Sequence, residues 1–416
     1  MWKQNKIELL APAGDLEKLK IAVLYGADAV YIGGEAYGLR AKAKNFDLDT
    51  MAEGIQFAHA HGARVYITAN IFAHNADFEG MAEYFKAIEE IGADALIISD
   101  LGVFSAAREA VPNMEIHVST QANNTNYMSA KMWYQLGAKR VVLARELSFK
   151  EVKEIRDKIP QDMDIEAFVH GAMCISYSGR CLLSNYLSGR DANKGACSHP
   201  CRWKYHLVEE TRPGEYMPIE ENERGTYIYN SKDLCMIQHI PEIIESGIMS
   251  LKIEGRMKTP FYVGTVVKAY RGAIDDYVKD PSLYEKNLPY YLEEVSKASH
   301  RDYTDGFYFQ KPDGNQQIYN SNTYIRGYDF IGMVQEDSDP DTGIAIVEQR
   351  NKFSVGDEIE VMPAKSEAFT MTVTKMWDEK EIPVDCAPHP QQILRILFSK
   401  PVKKFDMLRK IVLDAK

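Results

Sequence analysis

The chain has 416 residues, of which 45% are hydrophobic and 26% charged, with 27 glycines and 17 prolines. This composition is typical of a folded globular protein and excludes a disordered, collagen-like or coiled-coil chain. The formal net charge of −11 excludes a uniformly basic coat for binding nucleic acid. Because the sequence lacks an apolar run of ~18 residues and a signal peptide at its start, we expect no membrane contact and a cytoplasmic location.

A Gly-Ala-polar phrase followed by a short apolar run recurs at Gly26, Gly62, Gly92 and Gly137. Glycine after a helix can take the positive φ needed there, and such apolar runs are typical of strands buried on both faces. The runs ELLAPAG, MEIHVST, DIEAFVH and MSLKIEG raise the number of predicted strands to eight. Eight strand–helix units predict a closed, TIM-like (β/α)8 barrel over residues 1–325, rather than an open doubly wound sheet.

Polar residues follow most of the predicted strands, and the C-terminal strand ends of such a barrel build its active site. Glu166 and His170 flank the end of the seventh strand and are candidate catalytic residues. His170 is a candidate proton carrier because an imidazole titrates near neutrality. The alternative is a histidine that packs in the barrel mouth as a hydrogen-bonding scaffold.

The connection between the seventh and eighth strands is about twice the usual length, which predicts a Cys-rich insertion over residues 171–248. Five of the six cysteines lie there, in a compartment that we expect to be reducing, so the insertion indicates a metal site rather than disulfides. Their spacing leaves zinc and an iron–sulfur cluster open, since only one pair is as close as a zinc knuckle. The five cysteines are Cys174, Cys181, Cys197, Cys201 and Cys235.

The insertion also carries a basic patch mixed with aromatic residues, and a second basic stretch runs from Pro390 to Lys416. Cations interleaved with aromatic rings suit phosphate contacts and stacking on unpaired RNA bases. The alternative is a solvated surface that happens to be basic. The candidate RNA-binding residues are Arg180, Arg190, Arg202, Trp203 and Lys204. Two strand-like segments of the insertion, KYHLV and TYIYN, predict a long β-hairpin.

From about Gly327 the pattern changes to short alternating strands separated by turn signals. This pattern predicts a small antiparallel β-barrel over residues 326–416. The stretch from Tyr262 to Tyr324 is predicted to be helical and to connect the two domains. Cys386 lies in the second domain and is interpreted as a free thiol.

The stretch EAFVHGAMCISYSGRCLLS resembles the signature of peptidase family U32, and ELLAPAG, GRDANKGACSHPCRW, SKDLC and LKIEGRMK are similar to other motifs of that family. With its C-terminal barrel, the chain resembles the tRNA hydroxylation branch. The resemblance implies a 4Fe–4S cluster and oxygen-independent hydroxylation of the wobble uridine to 5-hydroxyuridine, with prephenate as co-substrate. It also implies the cluster ligands, which are Cys174, Cys181, Cys197 and Cys235, with Cys201 as a substitute for Cys197.

The implied partner is the tRNA anticodon loop, and a dimer with a related U32 subunit is a possible assembly. A dicarboxylate such as prephenate needs cationic anchors, for which Arg145, Arg256 and Lys252 are candidates near strand ends. Arg145 and Arg256 are also candidate catalytic residues, together with His170 and Glu166. One alternative is a U32-type, collagenase-like protease that uses Cys174 and His170, although the usual zinc-helix and serine-elbow motifs are absent from the sequence. Another is an RNA-binding module with a structural metal site.

Overall fold

The computed structural model describes residues 7–35, 37, 46–173, 183–188, 190, 197–198, 200, 206–207, 217–218, 230–309, 317–318 and 324–412.

Eight parallel strands form a closed ring in the N-terminal part of the chain. Each strand pairs with the next in chain order, and the last strand pairs with both the seventh and the first. Two further strands extend the sheet outside the ring: Asp233–Cys235 pairs antiparallel with the end of the seventh strand, and Tyr303–Thr304 pairs with Asp233–Cys235. The predicted (β/α)8 barrel and its eight strands are therefore confirmed. The strands are β1 (Glu8–Pro12), β2 (Ala29–Gly33), β3 (Arg64–Ala69), β4 (Ala95–Ile98), β5 (Glu115–Val118), β6 (Arg140–Val142), β7 (Asp164–Ala172), β8 (Asp233–Cys235) and β9 (Ser250–Ile253).

Helices surround the ring, and the predicted glycines end four of them. Gly26, Gly62, Gly92 and Gly137 have φ values of 114°, 76°, 88° and 99°, as the sequence pattern predicts. None of the described helices is long and apolar enough to cross a membrane. The helices are α1 (Leu16–Leu24), α2 (Leu48–Ala60), α3 (Met81–Glu90), α4 (Leu101–Ala110), α5 (Tyr127–Gln135), α6 (Phe149–Lys158), α7 (Leu183–Ser188), α8 (Ile240–Glu245), α9 (Pro260–Lys279) and α10 (Pro281–Lys297).

Four charged side chains meet inside the barrel, nearer the N-terminal ends of its strands. Lys252 Nζ lies 2.7 Å from one oxygen of Glu166, and Arg140 Nη1 lies 3.1 Å from the other. Arg140 also pairs with Glu8. A single buried charge is costly, but two acids and two bases neutralise one another here. We call Glu8, Arg140, Glu166 and Lys252 the buried ion network.

We expect stability to fall with acidification through the loss of the Glu8 charge. Burial by itself raises the pKa of Glu8, but the charge of Arg140 and hydrogen bonds from Arg140, Tyr66 and Ser250 outweigh it and lower the pKa from 4.5 to about 2. A carboxyl whose pKa is lower in the folded state stabilises the fold above its unfolded pKa. That stabilisation, about 3 kcal/mol, is lost as the pH falls from 4.5 towards 2.

Urea unfolding measured between pH 6 and pH 3 tests this expectation. The Glu8→Gln variant should be less stable at pH 6 and should lose less stability than the wild type over this range. The surface variant Glu154→Gln is the matched control, because that carboxylate is half exposed on α6. An unchanged pH dependence in Glu8→Gln would contradict the assignment.

Short antiparallel pairs are described within the insertion. His206–Leu207 pairs with Met217–Pro218, and Asn230–Ser231 pairs with Gln317–Ile318, which follow α10. Residues 208–216 and 219–229 lie outside the described residues, so the hairpin between KYHLV and TYIYN stays a prediction.

The C-terminal part is an antiparallel sheet with its own hydrophobic core, which confirms the predicted fold class of this domain. The sheet forms a half-barrel, and its strands lie side by side in the order Phe369–Thr372, Glu358–Met362, Met407–Ile411, Tyr328–Val334, Ile344–Gln349, Ile393–Leu397 and Met376–Trp377. Cys386 lies beside the core in a short strand that pairs with Phe353–Ser354. The longer strands are β10 (Tyr328–Val334), β11 (Ile344–Gln349), β12 (Glu358–Met362), β13 (Phe369–Thr372), β14 (Ile393–Leu397) and β15 (Met407–Ile411).

The half-barrel packs against α1, α9 and α10 of the barrel domain. Arg409 on β15 is fully buried and donates to both carboxylate oxygens of Glu294 on α10 at 2.9 Å and to Glu360 on β12 at 2.6 Å. Met407 lies so close to Gly264 that a Cβ there would be 2.2 Å from the methionine methyl group. Methionines of the half-barrel therefore complete the main hydrophobic core of the chain.

Candidate active site at the barrel mouth

Uncharged polar side chains line one side of the barrel mouth, at the C-terminal ends of β3, β4 and β5. Asn70 Nδ2 lies 3.3 Å from Ser119 Oγ, a contact that spans β4. Ser99 Oγ donates to the backbone carbonyl of Asn70 at 3.1 Å, and Thr68 Oγ1 donates to the carbonyl of Ile32 at 3.0 Å. We call Thr68, Asn70, Ser99 and Ser119 the polar wall. Sequence reasoning noted most of these strand ends but did not select their residues; the available signal was a polar residue directly after a buried strand.

Arg256 follows β9 and places its guanidinium inside the mouth. The side chain is 4% exposed, and its Nη1 donates to Thr68 Oγ1 at 3.3 Å. A Cβ at Gly33 would lie 2.3 Å from Arg256 Nη2, so a residue with a side chain at position 33 would displace this guanidinium. The glycine at the end of β2 thus allows a cation to lie over β2 and β3.

Arg145 holds a second cation on the opposite side of the ring. Its guanidinium lies 3.8 Å from the centre of the Phe168 ring, and its Nη1 donates to the carbonyl of Ala172 at 2.7 Å. Because Arg145 contacts β7 while Arg256 contacts β2 and β3, the two guanidinium groups lie on opposite walls. The mouth therefore combines neutral hydrogen-bonding groups with two separated positive charges.

Lys252 and Glu166 are deeper in the barrel than the sequence analysis suggested. The alternation of side chains along a strand did not decide whether Lys252 points into or out of the barrel. In the structure its side chain points inward, and its Nζ lies 2.7 Å from a carboxylate oxygen of Glu166. Glu166 is fully buried and is the third residue of β7, not a residue at its end. Burial raises its pKa, but the charges of Lys252 and Arg140 outweigh this and keep the pKa below the usual value. Both residues therefore belong to the buried ion network rather than to the mouth.

His170 packs outside the ring because β7 contains a bulge. Phe168 pairs with Lys252, but His170, not Val169, pairs with Ile253, so the alternation of side chains is broken. The imidazole is buried among the rings of Tyr262, Tyr270 and Tyr303, whose centres lie 6.0, 5.4 and 5.6 Å away.

The protonation state of His170 favours the scaffold interpretation over the proton carrier. Burial, together with the charges of His300 and Lys258, lowers the pKa of His170 to about 3. The imidazole is therefore neutral at physiological pH.

Cys235 lies directly beside His170, since the two residues are partners in the β7–β8 pairing. Burial raises the pKa of the Cys235 thiol to about 11, while hydrogen bonds with the Ile237 N–H and the Tyr270 hydroxyl act in the opposite direction. Cys197 is half-buried.

Of the remaining predicted site residues, Arg190 lies in a part of the chain that the structure describes, and the others lie outside it. Arg190 is half-buried, and its backbone N–H donates to the carbonyl of Ser184 at 3.4 Å. Within the described ranges, His, Cys, Asp and Glu side chains do not converge in a group of three that could hold a metal ion. The residues outside these ranges are Cys174, Cys181, Cys201, Arg180, Arg202, Trp203 and Lys204.

The chain matches the family model of peptidase family U32 over residues 14–318 and that of the peptidase family U32 C-terminal domain over residues 326–409. It is 44% identical over 406 residues to tRNA hydroxylation protein P1 of Bacillus subtilis, covering 98% of this chain and 95% of that protein. It is 40% identical over 407 residues to tRNA hydroxylation protein P of Escherichia coli, covering 88% of each. It is 34% identical over 308 residues to a 23S rRNA 5-hydroxycytidine synthase of E. coli, covering 73% of this chain and 45% of that protein. The chain therefore belongs to peptidase family U32, in the branch whose members are named tRNA hydroxylation proteins.

Proposed function

We propose that this protein is an RNA-hydroxylating enzyme that converts the wobble uridine of tRNA to 5-hydroxyuridine. The observation that carries the proposal is identity of 40–44% across both domains to proteins named for tRNA hydroxylation. A more distant relative is named for making 5-hydroxycytidine in ribosomal RNA, so pyrimidine C5 is a hydroxylation site within the family. The resemblance of the sequence motifs to the tRNA branch supports uridine as the target base and the wobble position as its place in the tRNA.

The barrel mouth is the proposed place of reaction. An enzyme that modifies a base must take it out of its stack, and this costs least in a single-stranded loop such as the anticodon loop. The mouth offers neutral hydrogen-bonding groups on the polar wall and cations at Arg145 and Arg256. This combination suits a nucleobase together with an anionic small molecule.

We further propose a 4Fe–4S cluster held by Cys174, Cys181, Cys197 and Cys235, with Cys201 as the substitute for Cys197 and zinc as the alternative metal. The surroundings of Cys235 fit one such ligand, because the Ile237 backbone N–H provides a hydrogen bond to the sulfur, and a bound metal would supply the positive charge that keeps this buried thiol deprotonated. The strand pairing also puts Cys235 beside the end of β7, from which the chain continues to Cys174. When bound, the cluster supplies a redox-active iron centre.

The proposed co-substrate is a small dicarboxylate, for which prephenate is the candidate. Arg145 and Arg256 are its proposed anchors, since guanidinium groups bind carboxylates through paired hydrogen bonds. Lys252 is a weaker candidate because Glu166 already balances its charge. A dimer with a related U32 subunit and the cytoplasmic location stay predictions.

A peptidase is the less favoured function. A cysteine protease needs a thiolate of low pKa beside a basic histidine. Among the described residues, the cysteine that pairs with His170 is Cys235, whose thiol pKa is raised to about 11. His170, with a pKa of about 3, is a poor base for any neighbouring thiol, and this applies to the predicted Cys174–His170 pair as well.

Nucleoside analysis of tRNA tests the proposed function. Total tRNA from cells that lack this gene and any second U32 gene should lose 5-hydroxyuridine and its derivatives, as measured by liquid chromatography–mass spectrometry. A plasmid copy of the wild-type gene should restore them, whereas Arg256→Met should restore about tenfold less, because a charged hydrogen-bonding anchor is lost. The matched control is Arg326→Met, an exposed arginine of the C-terminal part, which should restore fully. Unchanged 5-hydroxyuridine in the deletion strain would refute the proposal.

A further inference from the structure

The polar wall contains an acceptor without a donor. Asn70 Oδ1 is buried, and it has no hydrogen-bond partner among the described residues. The other end of the same amide is engaged, since Nδ2 lies 3.3 Å from Ser119 Oγ. Leaving a buried acceptor unpaired is unfavourable, so a ligand that brings a donor to this atom gains binding free energy.

The neighbouring groups of the wall already have partners. Thr68 Oγ1 donates to Ile32 O and accepts from Arg256, and Ser99 Oγ donates to the carbonyl of Asn70. The Ser119 hydroxyl accepts from Asn70 Nδ2 and from the Gln121 backbone N–H, each at 3.3 Å, so the nitrogen of the Asn70 amide is engaged and its oxygen is left over. The unused group is therefore an oriented acceptor beside the mouth.

The chemistry of this acceptor selects among ligands. Carboxylates and phosphates present only acceptors at neutral pH, so anionic groups do not satisfy Asn70 Oδ1; the cations at Arg145 and Arg256 suit them instead. The Watson–Crick edge of uracil presents one donor, N3–H, between two carbonyl oxygens. Cytosine presents an acceptor at N3, which would face the amide oxygen unfavourably in the same pose, and its one donor on this edge, the N4 amino group, occupies the position of the uracil O4 carbonyl.

We propose that Asn70 determines the base specificity of the site, with its Oδ1 accepting the N3–H of the target uracil and Ser119 holding the amide in that orientation. The proposal rests on the proposed function, which brings a pyrimidine into the mouth. Asn70 thus contacts the base, and Ser119 is a positioning residue. The pair lets a neutral side chain distinguish uracil from cytosine without a charged group.

Binding of three anticodon stem–loops to the holoenzyme tests the role of Asn70. The loops differ only at the wobble base, which is uridine, 3-methyluridine or cytidine, and fluorescence anisotropy gives each Kd. The wild type should bind the uridine loop about tenfold more tightly than the other two, because both lack the N3–H. In Asn70→Ala the three Kd values should agree within about twofold. Asn113→Ala, an exposed asparagine at the other end of the barrel, is the matched control and should keep the wild-type preference.

The Ser119→Ala variant separates orientation from folding. It keeps Asn70 but frees the amide to turn, so Nδ2 can donate to cytosine N3, and the preference for uridine over cytidine should shrink. The melting temperature should fall only by the loss of one helix cap, the bond from the Gln121 N–H, and the protein should stay folded. If Asn70→Ala keeps the wild-type ratio between uridine and 3-methyluridine, or if the wild type shows no such ratio while hydroxylating tRNA, the inference is wrong. If the wild type binds no loop and the deletion strain keeps its 5-hydroxyuridine, the proposed function itself has failed.

Discussion

Replacing Cys235 with alanine is expected to abolish both iron binding and tRNA hydroxylation, and replacing Cys174 is expected to do the same. Each thiolate ligand holds one iron of the cluster, so the loss of one weakens the attachment of the cluster to the protein and opens that iron to solvent. Iron and sulfide analysis of anaerobically purified protein, with its absorbance near ~400 nm, measures the first effect. Nucleoside analysis of tRNA from complemented cells measures the second effect. Zinc in place of iron would support the alternative metal.

Two further variants make this result specific. Cys386→Ala should keep iron and activity, because Cys386 lies beside the half-barrel core and pairs with Ser354. Cys235→Ser preserves the size of a fully buried side chain, so its melting temperature shows whether the fold survives without the thiol. Iron at wild-type content in either Cys235 variant would overturn the ligand assignment. Comparison of Cys197→Ala with Cys201→Ala decides which of the two is the fourth ligand.

The Glu166→Gln variant is expected to lose about 3–5 kcal/mol of unfolding free energy. Glu166 is fully buried, with Lys252 Nζ at 2.7 Å and Arg140 Nη1 at 3.1 Å. Removing its charge leaves Lys252 without its carboxylate partner, whereas Arg140 keeps Glu8 and the partly exposed Asp164. Urea unfolding at pH 7 measures the loss. Asp157→Asn is the matched control, because its pair with Lys153 is exposed on both sides and should contribute less than about 1 kcal/mol.

A double variant then separates structure from catalysis at Glu166. Glu166→Gln with Lys252→Met removes one acid and one base, so the network is again neutral and much of the stability should return. If hydroxylation of tRNA returns with the fold, Glu166 acts only as a structural residue. A stable double variant without activity would support the predicted catalytic role of Glu166 or of its partner.

The barrel could be predicted because each strand is a short apolar run that follows a helix-ending glycine. The orientation of side chains near the strand ends could not. Period-two alternation puts His170 on the same face as Glu166 and Phe168, but the bulge in β7 turns it outward against α9. A bulge depends on how two strands pair, and one strand's sequence does not contain that information.

The sequence was enough to predict where the candidate site lies and which cations it contains. It was not enough to predict which neutral polar side chains line it. Arg145 and Arg256 could be selected because each is a cation a few residues after a buried strand, where an anionic ligand needs a positive charge. Asn70 does not stand out, since polar residues commonly end strands. Its significance comes from Ser119, 49 residues away in sequence, which occupies one end of its amide. The partners of Glu166 are likewise 26 and 86 residues away.

The shared core of the barrel and the half-barrel has a geometric consequence. The two parts are held together by the buried pair of Arg409 with Glu294 and by Met407 packed against Gly264. The cationic C-terminal stretch after Pro390 is thereby kept at a constant separation from the opening of the cylinder. If that stretch binds the body of the tRNA, this fixed distance selects the target nucleotide by its position along the RNA, before any contact with its base adds to the selection.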